Sequence, residues 1–128
     1  MGRQTLPARD REIAILRIGW LNQAPYEWEQ HVRVGLQSGI SPAEIENIKK
    51  GANAGWQGHE QAVMQAVDEL FENSVISDQT WDRLAQHYNR QQMMDLVFTI
   101  GQYNLVSWAL NSFGVPLDDF LPGAKKKG

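Results

Sequence analysis

Three ionisable side chains lie among apolar residues in the N-terminal segments of the chain. Glu12 lies where the apolar face of a first helix begins, and Glu27 and His31 are four residues apart in the segment that follows. A spacing of four places Glu27 and His31 on one face of a helix, where they can hydrogen-bond or pair. Carboxylates beside an imidazole are suited to general acid–base chemistry near neutral pH. The alternative is a surface ion pair that contributes roughly a few tenths of a kcal/mol.

Glu12 also has a purely structural explanation. Acidic side chains near a helix N-terminus are stabilised by the helix dipole, and Asp10 lies in the same turn. A functional role requires Glu12 to face Glu27 and His31 across two packed helices, because a buried acid must find a partner. We treat Glu12, Glu27 and His31 as a candidate acid–base group that depends on this packing.

Other polar residues give weaker signals. His59 is not part of a zinc-protease motif, since no second histidine follows four residues later. Three scattered histidines with several carboxylates make no specific metal signature, so we expect no metal ligand. In the apolar segment 101–111, Tyr103, Asn104 and Ser107 need hydrogen-bond partners or a cavity. Tyr103 and Asn104 either bridge helices or line a pocket.

The elements that carry these residues are all helical. Apolar residues recur at helical spacing, and no segment alternates with period two. Helices are expected over about Ala8 to Leu21, Pro25 to near Gly39, Pro42 to about Lys50, His59 to about Glu72, Ser77–Asp78 onward, and Asn89 to about Ser112. Capping boxes at Ser41 and Asn89 support two of the starts. We predict an all-α fold of about six helices in one domain, residues 1–128, with its core over about 6–117 and a C-terminal tail at 118–128.

Composition limits the partners. The net charge is −3, the chain is 42% hydrophobic, and its one basic cluster, Lys125–Lys127, is better suited to solubilising a chain end than to binding nucleic acid. The most apolar stretch, 93–110, is interrupted by polar residues and is expected to be a buried helix, not a membrane span. "MGRQTLPARD" lacks the apolar core of a signal peptide. We therefore expect a cytoplasmic protein with neither a nucleic-acid nor a membrane partner.

The stretch "LPARDREIAILRIGWLNQAPYEWEQHVRVGLQSGISPAEIENIKKG" resembles the signature of the carboxymuconolactone decarboxylase family, whose fold is alkylhydroperoxidase D-like. The resemblance covers about residues 6–117. In the peroxidase branch a glutamate lies nineteen residues before a histidine, and a Cys-x-x-Cys pair ends four residues before it. Glu12 and His31 fit that spacing, while Ala24 and Glu27 occupy the cysteine positions. Thiol peroxidase activity is not expected, because a chain without cysteine has no thiolate to attack a peroxide.

The decarboxylase branch, which uses neither cysteine nor cofactor, resembles this chain better. The resemblance implies a cofactor-free lyase acting on a small lactone or aromatic-derived acid. His31 would then be the proton donor, and Glu12 or Glu27 would set its tautomer. Arg11, Arg17 or Arg33 could hold the substrate carboxylate. The residues we assign to substrate binding are Trp20, Tyr26, Trp28, Trp56, Tyr103 and Arg33.

Two alternative functions would use the same candidate site residues. One is an isomerase, dehydratase or hydrolase acting on an unknown small molecule, and the other is a non-catalytic oligomeric binding protein. The resemblance also implies a homotrimer or homohexamer with sites near the subunit contacts. A first helix that is apolar on all sides, and five tryptophans in a small chain, agree with self-association.

Overall fold

The computed structural model describes residues 4–114; Lys125–Lys127 and the predicted tail lie outside them. Its helices are α1 Ala8–Leu21, α2 Pro25–Gln37, α3 Pro42–Lys50, α4 Gly58–Asn73, α5 Asp78–Ala85 and α6 Arg90–Phe113. All regular secondary structure within residues 4–114 is helical, which confirms the predicted all-α fold of six helices. None of these helices is both long enough and apolar enough to cross a membrane.

The helix ends follow the local sequence. Ser41 and Asn89 both form complete capping boxes, with Glu44 and Gln92 respectively. Between α1 and α2, Gln23 adopts a positive φ of 52° and Pro25 begins the next helix, where its missing N–H costs no hydrogen bond. The turn therefore reverses the chain within a few residues and sets α2 back against α1.

Helix α1 lies at the centre of the fold. It packs against α2, α3, α4 and α6, and Ile13, Ala14, Leu16 and Ile18 are fully buried. A helix that is apolar on all sides is expected in such a central position. Because of this position, a polar side chain on α1 is enclosed by neighbouring helices and must find its partners there.

Two glycines bring α1 and α2 close together. A Cβ at Gly35 of α2 would lie 3.1 Å from Leu16 Cδ1, and a Cβ at Gly19 of α1 would lie 2.6 Å from Glu27 Oε2. Each glycine leaves room for a side chain of the facing helix. The acid–base residues of both helices are therefore brought into contact range.

Arg17 joins α1 to the far side of the bundle. Its Nε lies 2.8 Å from Asp68 Oδ1 of α4, and its Nη1 donates to the Ile48 carbonyl of α3 at 2.8 Å. This guanidinium is buried and its hydrogen bonds satisfy the last turn of α3. Arg17 is therefore a structural residue and is not available to a substrate.

Candidate active site

Glu12, which is buried, and His31, which is partly buried, form a pair between α1 and α2. Glu12 Oε1 lies 2.7 Å from His31 Nδ1, and the two side chains are 2% and 15% exposed. An ionised carboxylate can only accept, so Nδ1 carries the hydrogen and Nε2 is the nitrogen left for other chemistry. Within residues 4–114, Nε2 has no hydrogen-bond partner. Glu12 therefore faces His31 across two packed helices, as a functional role for Glu12 requires.

Glu27 is the second buried carboxyl of the site. Ser107 Oγ of α6 donates to Glu27 Oε2 at 2.8 Å, whereas Oε1 has no hydrogen-bond partner in the described part of the chain. Burial raises the pKa of Glu27 to about 7, against the opposing effects of the Ser107 hydrogen bond and the charge of His31. Glu27 therefore exchanges its proton in the range where acid–base catalysts operate.

Tyr103 and Arg11 connect the pair to a cleft. The Tyr103 ring meets the His31 ring edge-on at 5.0 Å, and Arg11 Nε lies 3.4 Å from Glu12 Oε2. Burial, with the charges of Glu12 and Glu27, raises the pKa of the Tyr103 hydroxyl. Both residues line a cleft of about 590 Å³, the α6 cleft, which is formed by Gln4, Arg11, Gln91, Met94, Asp95, Phe98, Thr99, Gln102 and Tyr103. A small molecule in this cleft would lie beside the pair.

A second cleft, of about 560 Å³, opens where α1 turns into α2. This α1–α2 cleft is lined by Gly19, Trp20, Leu21, Gln23, Ala24, Pro25, Trp28 and Glu29. The rings of Trp20 and Trp28 lie 5.2 Å apart, and Lys49 Nζ lies over both. Such a pairing of aromatic rings with a cation is favourable at a partly exposed site. Gly19 belongs both to this wall and to the surroundings of Glu27.

Three residues assigned to the site from the sequence lie elsewhere. Trp56 is buried between α3 and α4, where its Nε1 donates to the Asn47 carbonyl at 3.4 Å. Tyr26 is half-buried, and its hydroxyl accepts from Gln30 Nε2 at 2.9 Å. Arg33 is exposed, because two residues beyond His31 is about 200° further around the helix. None of the three is among the residues that line the two clefts.

The structure also shows the positions of residues whose roles the sequence did not decide. Of the three candidate arginines, Arg11 is the one beside the pair. Asn104 links α6 to the residue that follows α1, accepting from Asn22 Nδ2 at 2.8 Å, whereas Tyr103 lines a cleft. Ser107 was recognised only as a polar residue in an apolar helix, and its partner, Glu27, lies eighty positions away. A polar residue in an apolar helix is the signal by which the sequence could have indicated that Ser107 contacts the site.

The sequence comparison fits this geometry. The family model of the carboxymuconolactone decarboxylase family matches residues 1–69, which include Glu12, Glu27 and His31. No curated protein matches the chain. Within residues 4–114 the protein is all-helical, with Glu12 and His31 paired between the first two helices. Because the match covers more than half of its residues, the chain belongs to the carboxymuconolactone decarboxylase family.

Proposed function

We propose that this protein is a lyase of the carboxymuconolactone decarboxylase type, acting on a small lactone or aromatic-derived acid without a cofactor. The observation that carries the proposal is the Glu12–His31 pair, which has a 2.7 Å contact and whose neighbours Arg11 and Tyr103 line the α6 cleft. Membership of the family supports a decarboxylase or a related activity.

The proposed reaction needs one proton and a place for negative charge. The bond between the substrate carbon and its carboxylate breaks, carbon dioxide leaves, and the electron pair enters a conjugated enolate. The imidazolium form of His31, which carries a second proton on Nε2, delivers that proton to the carbanion equivalent and becomes a neutral imidazole, while Glu12 holds the ring by Nδ1. The Arg11 guanidinium, on the wall of the same cleft, orients the anionic substrate and stabilises the developing charge.

Glu27 is a second group of the site that can donate or accept a proton. With a pKa of about 7 it is close to half protonated near neutral pH, and it interacts electrostatically with both Glu12 and His31. A neutral Glu27 adds no second negative charge beside Glu12, which keeps the pocket compatible with an anionic substrate. Tyr103, whose hydroxyl stays protonated, is a further hydrogen-bond donor on the same wall.

The first test is the turnover of γ-carboxymuconolactone, followed by ultraviolet absorbance, with the wild type and His31→Gln. We expect the variant to lose activity by about 10²- to 10⁴-fold, the usual contribution of a positioned proton donor. Glutamine at position 31 preserves a polar side chain, and circular dichroism checks the fold. Equal turnover by the two proteins would remove His31 from the reaction.

Two arginine variants then locate the substrate carboxylate. We expect Arg11→Gln to raise KM, because Arg11 lines the α6 cleft, and we expect no such change for the exposed Arg33→Gln. The opposite result would restore Arg33 as the substrate-binding arginine. If the wild type does not convert the lactone, decarboxylation of γ-carboxymuconolactone is excluded. The remaining candidates are then an isomerase, dehydratase or hydrolase with the same residues, or a non-catalytic binding protein.

A further inference from the structure

A second cluster of ligating side chains lies apart from the Glu12–His31 pair. Asp10, His59 and His87 each present one possible ligand atom, and these atoms lie within 4.8 Å of one another. Asp10 is in the first turn of α1, His59 is in the first turn of α4, and His87 is in the turn that follows α5. Three distant segments of the chain therefore converge on one point, which no spacing in the sequence reveals.

The cluster is held by hydrogen bonds and ring stacking. His59 Nε2 lies 3.1 Å from Asp10 Oδ2, and the Tyr88 hydroxyl donates to the same oxygen. The rings of His59 and His87 are stacked, with centroids 3.6 Å apart and planes within 6° of parallel. Two imidazole rings are thus stacked face to face next to a buried carboxylate.

We propose that Asp10, His59 and His87 form a binding site for one divalent first-row transition-metal ion of the Zn²⁺ class. Two imidazole nitrogens and one carboxylate oxygen form a donor set that such ions prefer, whereas Mg²⁺ and Ca²⁺ prefer oxygen ligands alone. Three protein ligands leave a coordination position for water. This site is independent of the proposed decarboxylase activity.

The surroundings fit a metal site in two respects. Tyr88 donates to Asp10 Oδ2, as outer hydrogen-bond partners of metal-binding carboxylates commonly do. A small cleft of about 290 Å³, lined by Gly58, His59, Arg83, Gln86 and His87, gives an ion access from solvent. Arg83, the cation in this cleft, is held by hydrogen bonds to Gln61 Oε1 and the Gly58 carbonyl.

Binding requires a small rearrangement. In the present geometry His59 Nε2 contacts Asp10, so the ring must carry its hydrogen on Nδ1 for Nε2 to bind a metal ion. The ligand atoms must also draw somewhat closer, since Zn²⁺ binds nitrogen at about 2.0–2.1 Å. His87 is exposed and can turn towards the other two ligands.

The test is calorimetric titration of the tag-free protein with Zn²⁺, with visible absorption of the Co²⁺ form as a second readout. The chain has three histidines, which provides a matched control: His31→Gln removes the histidine of the other site. We expect one ion per chain in the wild type and in His31→Gln, and binding weakened at least tenfold in His59→Gln and His87→Gln. Zn²⁺ should also raise the Tm of the wild type but not of His87→Gln, because the ion binds only the folded state.

Three results would overturn the proposal. They are no stoichiometric binding by the wild type, equal binding by all four proteins, and loss of binding in His31→Gln alone. If His59→Gln fails to fold, His87→Gln carries the test, because His87 is exposed and its replacement leaves no buried group without a partner.

Discussion

At the scale of single residues, burial determines how Glu27 behaves. The side chain is enclosed between α1, α2 and α6, and only one of its oxygens is hydrogen-bonded within residues 4–114. Desolvation disfavours the charged form more than Ser107 and His31 favour it, so the pKa lies near 7. A carboxyl whose pKa is raised by folding links its protonation to stability.

Glu27→Gln is expected to change how stability depends on pH. Well below pH 4.5, the ordinary pKa of a glutamate, Glu27 is protonated in both the folded and unfolded states. As the pH rises to about 7, the unfolded state loses its proton first, and the wild type loses stability on the order of 3 kcal/mol. The Glu27→Gln protein does not lose this stability, because glutamine does not titrate. Urea unfolding at about pH 5 and pH 8 measures the difference between the two proteins.

The matched control for this measurement is Glu29→Gln, an exposed glutamate on the same helix. We expect it to retain the pH dependence of the wild type. If Glu27→Gln and the wild type lose stability in parallel between the two pH values, a different group is responsible and Glu27 is ionised in the folded protein.

At the scale of helices, the contact between α1 and α2 depends on Gly19. The ideal Cβ position at Gly19 is only 2.6 Å from Glu27 Oε2, so an alanine there requires a buried carboxylate that accepts from Ser107 to move. We expect Gly19→Ala to destabilise the protein by about 1–3 kcal/mol, the usual cost of overpacking, despite the better helix propensity of alanine. Chemical denaturation measures this cost.

A double-mutant cycle with Glu27→Ala identifies the cause. If the clash with Glu27 is responsible, Gly19→Ala costs less in the Glu27→Ala background, and the two changes are not additive. Additive free energies of unfolding would show that Gly19 is required for some other reason, such as the approach of the two backbones.

The helices could be predicted from the sequence, but their rotations could not. Periodicity and caps predicted the bounds of α1 and α3, and the family resemblance implied that Glu12 and His31 act together; the structure places their side chains 2.7 Å apart. The sequence alone could not choose between Arg11 and Arg33, because the choice depends on how α1 and α2 are rotated in the bundle; the structure places Arg11 beside Glu12 and leaves Arg33 exposed. Asp10, His59 and His87 meet only after three segments have packed, so no local pattern could join them.

At the scale of the whole molecule, one face of α6 has no covering element within residues 4–114. Met94, Phe98, Leu105 and Trp108 follow a helical spacing along it and are exposed, Phe98 at 67%. An apolar stripe of this kind is unusual on a monomer. We propose that a second copy of the chain covers this face, as the family resemblance implies. Met94 and Phe98 also line the α6 cleft, so that copy would enclose the substrate.

Leu105→Glu tests the proposed interface at a residue that lines neither large cleft. Leu105 is 59% exposed, so a charge there leaves the isolated subunit folded but is costly to bury against a second copy. We expect a wild-type trimer or hexamer and a monomeric variant in sedimentation equilibrium.

Val75→Glu is the control, since Val75 is also apolar and is 61% exposed but lies beyond the end of α4. It should assemble normally. A monomeric wild type, or an intact Leu105→Glu oligomer, would mean that this face of α6 is not the subunit contact.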